Sequence, residues 1–384
     1  MRCLVISPVP TVPATQGNAV NMARLNDCLQ AAGYHIHMVY SAMEGMDADN
    51  MEAMRRQWDT LDVIPFRGIF EQPGNWGYSL DAWFDPAVGE HVARVCDEWH
   101  FDIALIHYVW MSAVCDYMPA ELPKLIYTHD RFGDRHAMLA RACIAPTWYS
   151  ISTADEALGL ARADRLIATQ ESEAAYFRSI VDRPVHVLGS LQALRIRPPS
   201  TRDEKPLRAG YIGSGNPGNR LSIRELLAAI DRTPGLTNGD FELLLAGPIS
   251  LLAEFSRPYV ISLGVVDQPH DVYRCVNLML NPSTGGSGLK IKSVESLAAG
   301  MPLVATVDSM VGLPVEHPAH QCQDAKEMAA ILFDLVQGQG LASLIAASHC
   351  SIESYTDRQL QEFSSLFSSP STINGNGSLQ PVIG

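Results

Sequence analysis

The chain of 384 residues has no cluster of basic residues: 28 lysines and arginines face 42 aspartates and glutamates, for a net charge of −14. Both halves are acidic, with 16 basic against 24 acidic side chains up to residue 200 and 12 against 18 after it. Such a chain lacks the electrostatic footprint that nucleic acid or anionic lipid requires. No nucleic-acid partner is expected, and at most a weak membrane association. Cysteine is present but without pattern: the eight thiols at 3, 28, 96, 115, 143, 275, 322 and 350 form no C-x-x-C and no Cys/His cluster at metal-ligand spacing. They read as reduced, mostly core residues of a cytoplasmic protein. Long apolar runs are missing too. "MRCLVISPVP" stops at Pro8, too short for a signal-peptide core, and no window holds about 18 unbroken apolar residues. Neither a solenoid repeat nor coiled-coil heptads occur.

At 47% hydrophobic and 18% charged, the composition supports a sizeable core, and the length suits two α/β domains better than one. Short apolar runs alternate with helical patterns: "CLVIS", the helix "NAVNMARLNDCLQAAG", then "HIHMVYS", "FDIALIHY", "KLIYTH" and "DRLIATQ". This alternation predicts βαβ units on a parallel sheet. After the charged, proline-rich "RIRPPSTRDEKP" a second series begins, with "LRAGYIG", "FELLLAG", "YVISLG", "LMLNPS" and "PLVATV". The expected organisation is a Rossmann-like domain over 1–197, a linker at 198–205, a second Rossmann-like domain over 206–350, a helix at 351–367 packing back on the first domain, and a Ser/Gly/Asn-rich tail at 368–384.

Two glycine loops are candidates for chemistry. Gly213-x-Gly215-x-x-Gly218 follows a strand and opens a helix, the context of a dinucleotide fingerprint. NAD recognition also wants an acidic residue at the end of the next strand, and "FELLLAGP" ends instead in Gly247-Pro248. That ending argues against NAD at this loop, which in the resemblance described below would face a diphosphate. The second loop lies in "CVNLMLNPSTGGSGLKIKSVESLAAGMPLVAT", residues 275–306. Gly285, Gly286 and Gly288 let backbone N–H groups approach an anion, and a helix starting near Leu289 adds its positive end. Gly300 and Pro302 stop that helix after about three turns, with Ile291, Val294 and Ala298 as its buried stripe. Lys292 and Glu295, three apart, are then neighbours on another face. They suit either a nucleotide diphosphate or an ordinary surface ion pair.

The same segment resembles the donor-binding signature of glycosyltransferase family 4, the retaining GT-B enzymes, on "GGSGLKIK…E" followed by "LAAGMPLVAT". "TQGNAVNMARLNDCLQAAGYHIHMV", "YTHD", "ADRLIATQESEA" and "ISLGVVDQPHDVYRCVNLMLNPS" extend the resemblance over most of residues 1–310. It implies a GT-B fold, two Rossmann-like domains facing each other across a cleft. It implies further that Glu295 holds the donor ribose, that Gly286, Ser287, Gly288 and Lys290 or Lys292 meet the diphosphate, and that backbone near Val266 reads the base. His129 would contact the donor sugar as the catalytic residue, with a structural histidine at a strand end as the competing role. Gly17 and Asn18 would close the cleft from the N-terminal side. Two departures stand out: Ser287 occupies the position where family members often have a sugar-contacting Glu, and Arg220 follows the first strand of the second domain without a companion Lys. The implied activity is retaining transfer of a sugar from a nucleotide diphosphate sugar to a hydroxyl of a glycan, lipid-linked precursor or small molecule, with no metal and no cofactor. A silent nucleotide-sugar-binding protein, an epimerase or a pseudo-glycosyltransferase are the alternatives. The aromatics of residues 68–85 either stack on acceptor sugars or cover a core.

Overall fold

The computed structural model describes residues 1–14, 16–45, 47–67, 77–141, 148–195, 205–285 and 288–367. The expected tail at 368–384 and all but the last residue of the expected linker lie outside them. The chain divides into two compact units, one of residues 1–191 with the stretch from Gln359 onward, the other of residues 192–358.

The first unit is built on seven strands: β1 (Arg2–Ser7), β2 (His35–Ser41), β3 (Thr60–Ile64), β4 (Ile103–His107), β5 (Lys124–Tyr127), β6 (Arg165–Ala168) and β7 (Val185–Val187). They pair in the order β3-β2-β1-β4-β5-β6-β7, every pairing parallel. The inner strands are apolar on both faces because helices cover both faces of a parallel sheet, and β4 and β5 are buried along their whole lengths. Two strands escape the sequence pattern. β3 and β7 are the sheet's edges, half-buried throughout, so neither carries a continuous apolar run.

Helix Gly17–Ala31 packs Met22, Leu25 and Leu29 into this unit. Its Asn21 amide donates to the Tyr127 hydroxyl at 2.6 Å, and that hydroxyl donates to the Leu188 carbonyl at 2.8 Å. The last helix, Leu341–Phe367, contains no glycine or proline and runs unbroken through residue 350, where the sequence suggests a boundary. Its final turns bury Phe363, Leu366 and Phe367 in the first unit's core.

The second unit carries β8 (Leu207–Ile212), β9 (Phe241–Ala246), β10 (Val260–Ser262), β11 (Leu278–Asn281) and β12 (Leu303–Ala305), ordered β10-β9-β8-β11-β12 and again all parallel. Both units are thus Rossmann-like, each with a reversal of strand order, at β1/β4 in the first and β8/β11 in the second. Loops leaving neighbouring strands at such a reversal diverge and open a crevice. At the end of β9 the chain needs glycine twice over. Gly247 has φ +83°, and a Cβ there would sit 2.5 Å from the Gly213 carbonyl oxygen. No described helix is long and apolar enough to cross a membrane.

The two cores make separable demands. Phe363→Ala should lower the stability of the first unit by about 3–5 kcal/mol, and Gly247→Ala that of the second by about 2 kcal/mol or more. Urea unfolding followed by hydrogen exchange, which reports each unit separately, checks this. A loss of protection in the other unit would contradict the assignment.

Candidate functional site

In the first unit the polar cluster forms where β4 and β5 end. His107 closes β4 and is fully buried; His129 follows β5 with φ +61°, a conformation few non-glycine residues adopt. The two imidazoles share a hydrogen bond, Nδ1 of His107 to Nε2 of His129, at 2.8 Å. Tyr108, at φ +74°, stacks on His129 with centroids 4.3 Å apart and on Trp110 at 4.2 Å. The Asn18 amide donates to the Tyr108 hydroxyl at 2.7 Å, while Gly17 begins the helix that presents Asn18. Asn18 thus reaches the histidine through one tyrosine ring, and Gly17 has no such contact among those described.

The loop beyond His129 is held by a buried carboxylate. Glu156 accepts from the amides of Phe132 at 2.7 Å and Gly133 at 2.9 Å and from the Tyr176 hydroxyl at 2.7 Å. Asp130 pairs with Arg135. Burial pushes the Glu156 carboxyl above its ordinary value despite these donors. Burial also drives the His107 imidazole down to about 3, and burial together with His107 holds His129 well below the usual histidine range. Both rings are neutral at pH 7. His129 is therefore a hydrogen-bonding group and not a cation, and with Nε2 committed to His107 its Nδ1 is the nitrogen left for a ligand. All four described non-glycine residues with positive φ lie in the segments that follow β4 and β5: Tyr108 directly after β4, and His129, Asp134 and Trp148 between β5 and β6. Such clustering marks functional sites, because each costs about 1–3 kcal/mol that surrounding structure must offset.

In the second unit, helix Ile291–Ala298 is just over two turns, shorter than the three expected, because Lys290 is its extended N-cap and Leu289 lies before it. Its buried stripe is Val294, Leu297 and Ala298 with Ser293 and Ser296, and Ile291 is only partly covered. Lys292 is no surface residue. Its ammonium donates to the Tyr211 hydroxyl at 2.9 Å and the Asn219 side-chain oxygen at 3.1 Å, and lies 4.6 Å from the Tyr211 ring centroid. Burial, with a smaller push from Lys290, lowers its pKa to about 8, against which Glu295 acts in the raising direction. The Glu295 charge acts also on Tyr273. Lys290 donates to the Gly288 carbonyl at 2.8 Å.

Gly286 and Ser287 lie outside the described residues. Their neighbour Gly285 gives its N–H to Asp308 at 2.6 Å, so one amide expected to face an anion is engaged by a carboxylate. Arg220 forms a 2.7 Å pair with Glu254, which Arg224 also contacts at 2.9 Å. Reaching a phosphate would require Arg220 to leave that partner. Val266 is partly buried against the cluster that contains Val294 and Leu297. Around Lys292 the structure adds Tyr211 and Asn219, and around His129 it adds His107, Tyr108 and Glu156. Asn219 had a visible signal, three residues beyond the helix cap Asn216. The pairing of His107 with His129 had none, since 22 residues separate them.

Residues 206–337 match the family described as Glycosyl transferases group 1. No curated protein matches the chain. Among solved structures, Anabaena HepE in complex with UDP and glucose is 12% identical, with 96% of this chain and 100% of that chain covered and a TM-score of 0.65. TarM is 10% identical over 96% and 99%, TM-score 0.67, and a glycosyltransferase from Rickettsia africae 14% identical over 96% and 99%, TM-score 0.61. Likeness at this identity establishes the fold, which is GT-B.

The lowered pKa of Lys292 has a direct consequence. The ammonium is charged at pH 7 and loses its proton as pH rises through about 8. If it meets an anion, affinity for a nucleoside diphosphate should fall above pH 8 by up to about tenfold per pH unit. Calorimetric titrations from pH 7 to 9.5 should show that slope in wild type and a flat, weaker profile in Lys292→Met. A flat wild-type profile would remove Lys292 from the anion site.

Proposed function

We propose that the protein is a retaining, metal-independent glycosyltransferase that moves a sugar from a nucleotide diphosphate sugar to a hydroxyl acceptor. The observation that carries this is the match of residues 206–337 to Glycosyl transferases group 1, the stretch that holds Lys292 and Glu295 on one helix behind a glycine loop. HepE, with UDP and glucose bound, provides a consistent precedent on the same fold.

Departure of the nucleotide diphosphate builds negative charge on its β-phosphate. Lys292, Lys290 and the amides near Gly286, Ser287 and Gly288 meet that charge, with Arg220 joining once it leaves Glu254. Lys292 has been largely desolvated in advance, so its cation acts in a medium where electrostatic stabilisation is stronger than in water. Glu295 accepts hydrogen bonds from the donor ribose, and backbone near Val266 reads the base. His129, neutral and fixed by His107, offers Nδ1 to a hydroxyl of the donor sugar. Attack on the face the leaving group vacates needs no protein nucleophile, which suits a chain with Ser287 where a carboxylate is common. The protein works in the cytoplasm, where nucleotide sugars are available.

Glu295→Ala should weaken binding of the nucleoside diphosphate by about ten- to a hundredfold, the equivalent of one charge-assisted hydrogen bond of about 1.5–3 kcal/mol, with Glu295→Gln losing less. Unchanged affinity in calorimetry would displace the donor site from this helix. His129→Ala should lower kcat more than it raises the donor KM, because a group at the reacting sugar acts chiefly in the transition state. Turnover should survive excess EDTA. Loss on chelation with recovery on adding manganese would show that a metal takes the role assigned here to lysine and amides.

A further inference from the structure

The first unit has a cavity of about 570 Å³ at the ends of its strands, lined by Gln16, Asn18, Met43, Glu44, Trp110 and Trp148 among others. Asn18 and Trp110 both belong to the His129 cluster, Asn18 through its bond to the Tyr108 hydroxyl and Trp110 through its stack on the Tyr108 ring. The cavity therefore adjoins the residue assigned to the reacting sugar.

Three features describe its occupant. Trp148 is 50% exposed at φ +69°, fixed edge-on against Trp83 at 4.9 Å, with its carbonyl accepting from the His136 ring at 2.8 Å. A bulky ring held in a strained conformation and left half in water invites a flat apolar partner. Trp83, by contrast, is 4% exposed and packs on Trp110 and Tyr149, so this aromatic of the 68–85 stretch covers core; residues 68–76 lie outside the described ones. Trp110 is 1% exposed and its indole N–H has almost no accessible surface, so what it offers the cavity wall is apolar ring. Finally, Glu44 is the one charged residue among the described lining, and no cation accompanies it. Gln16, whose amide stands 3.5 Å from Glu44, caps no helix amide with its side chain.

An aromatic face, a carboxylate and an amide around one cavity match a sugar ring, which has apolar C–H faces and a rim of hydroxyls that both donate and accept. A phosphorylated or carboxylated acceptor would bring its charge against Glu44 without a compensating cation. A purely apolar alcohol would strip water from Glu44 and Gln16 and return no hydrogen bonds.

We propose that this cavity binds the acceptor, and that the acceptor is an uncharged pyranoside stacked on Trp148 with its hydroxyls bonded to Glu44 and Gln16. This rests on the transferase reading above and narrows its acceptor to one class.

The test titrates the full-length protein, by tryptophan fluorescence and calorimetry, with the methyl glycosides of glucose, galactose, mannose and N-acetylglucosamine. The corresponding 6-phosphates and phenol serve as contrasts, and UDP and GDP are titrated in parallel. At least one methyl glycoside should bind, about tenfold or more weakly in Trp148→Ala, near wild type in Trp148→Phe and several-fold more weakly in Glu44→Gln. Affinity for UDP or GDP should be the same in all three variants. The proposal is overturned if no methyl glycoside binds, if a 6-phosphate or phenol binds more tightly, or if Trp148→Ala leaves glycoside affinity intact. Glycoside binding with the expected variant pattern, but no binding of either nucleotide, would uphold the pyranoside site and overturn the transferase reading instead.

Discussion

Parallel pairing of every strand is the constraint from which the site follows. In a parallel sheet all strands point the same way, so the segments that leave their C-terminal ends emerge along one edge. In the first unit these segments carry Asn18 after β1, Glu44 after β2, Tyr108 after β4 and His129 after β5. In the second they carry Asn219 after β8, Gly247 after β9 and Lys290 after β11. At the reversal of strand order the segments diverge, and single side chains bridge between them: Asn18 after β1 reaches Tyr108 after β4, and Asn219 after β8 reaches Lys292 after β11. The bonds at 2.7 and 3.1 Å are local consequences of topology, with the polar side chains recruited where the sheet already leaves a crevice.

Burial then sets the protonation states. The imidazoles of His107 and His129 and the ammonium of Lys292 are all moved toward their neutral forms by desolvation. The outcomes differ because their neighbours differ. Each histidine faces another neutral ring and stays uncharged, fit to orient a hydroxyl. Lys292 donates to a phenol oxygen and an amide oxygen, and the Glu295 charge acts to raise its pKa, so that it is a cation at pH 7 yet within reach of losing its proton. One mechanism, removal of water, yields a neutral contact in one unit and a strengthened cation in the other.

The fold was legible because inner strands of a covered parallel sheet are continuous apolar runs, as in "ALIH" and "LLLA". Edge strands β3 and β7 were not, being half-wet. The glycine loop and Lys292 could be placed on a helix start from "GGSGLKIK", yet pattern alone left Lys292 as readily a surface partner of Glu295. What distinguishes the two is Tyr211, 81 residues away, and sequence spacing within one helix holds no information about it. A compositional signal was present all the same: the chain has only five lysines, and two of them, Lys290 and Lys292, stand two apart in this loop. His107 and Glu156 were beyond reach for the same reason as Tyr211, since their roles exist only through long-range contacts with the loop that follows β5.

The two units also solve the problem of sharp turns at strand ends differently. Among the described residues, the second unit meets positive φ only with glycine, at eight positions that include Gly247, Gly264 and Gly285, whereas the first has three such glycines and four larger residues. Glycine suits a loop whose backbone must come close to a ligand or to another loop, as Gly247 does to Gly213. It cannot supply a ring. In the first unit, Tyr108 and His129 belong to the aromatic stack and Trp148 lines the cavity beside it, so the strained conformation and the side chain are needed at the same residue. The strain is tolerated because Glu156 ties down Phe132 and Gly133 while His107 holds the His129 ring.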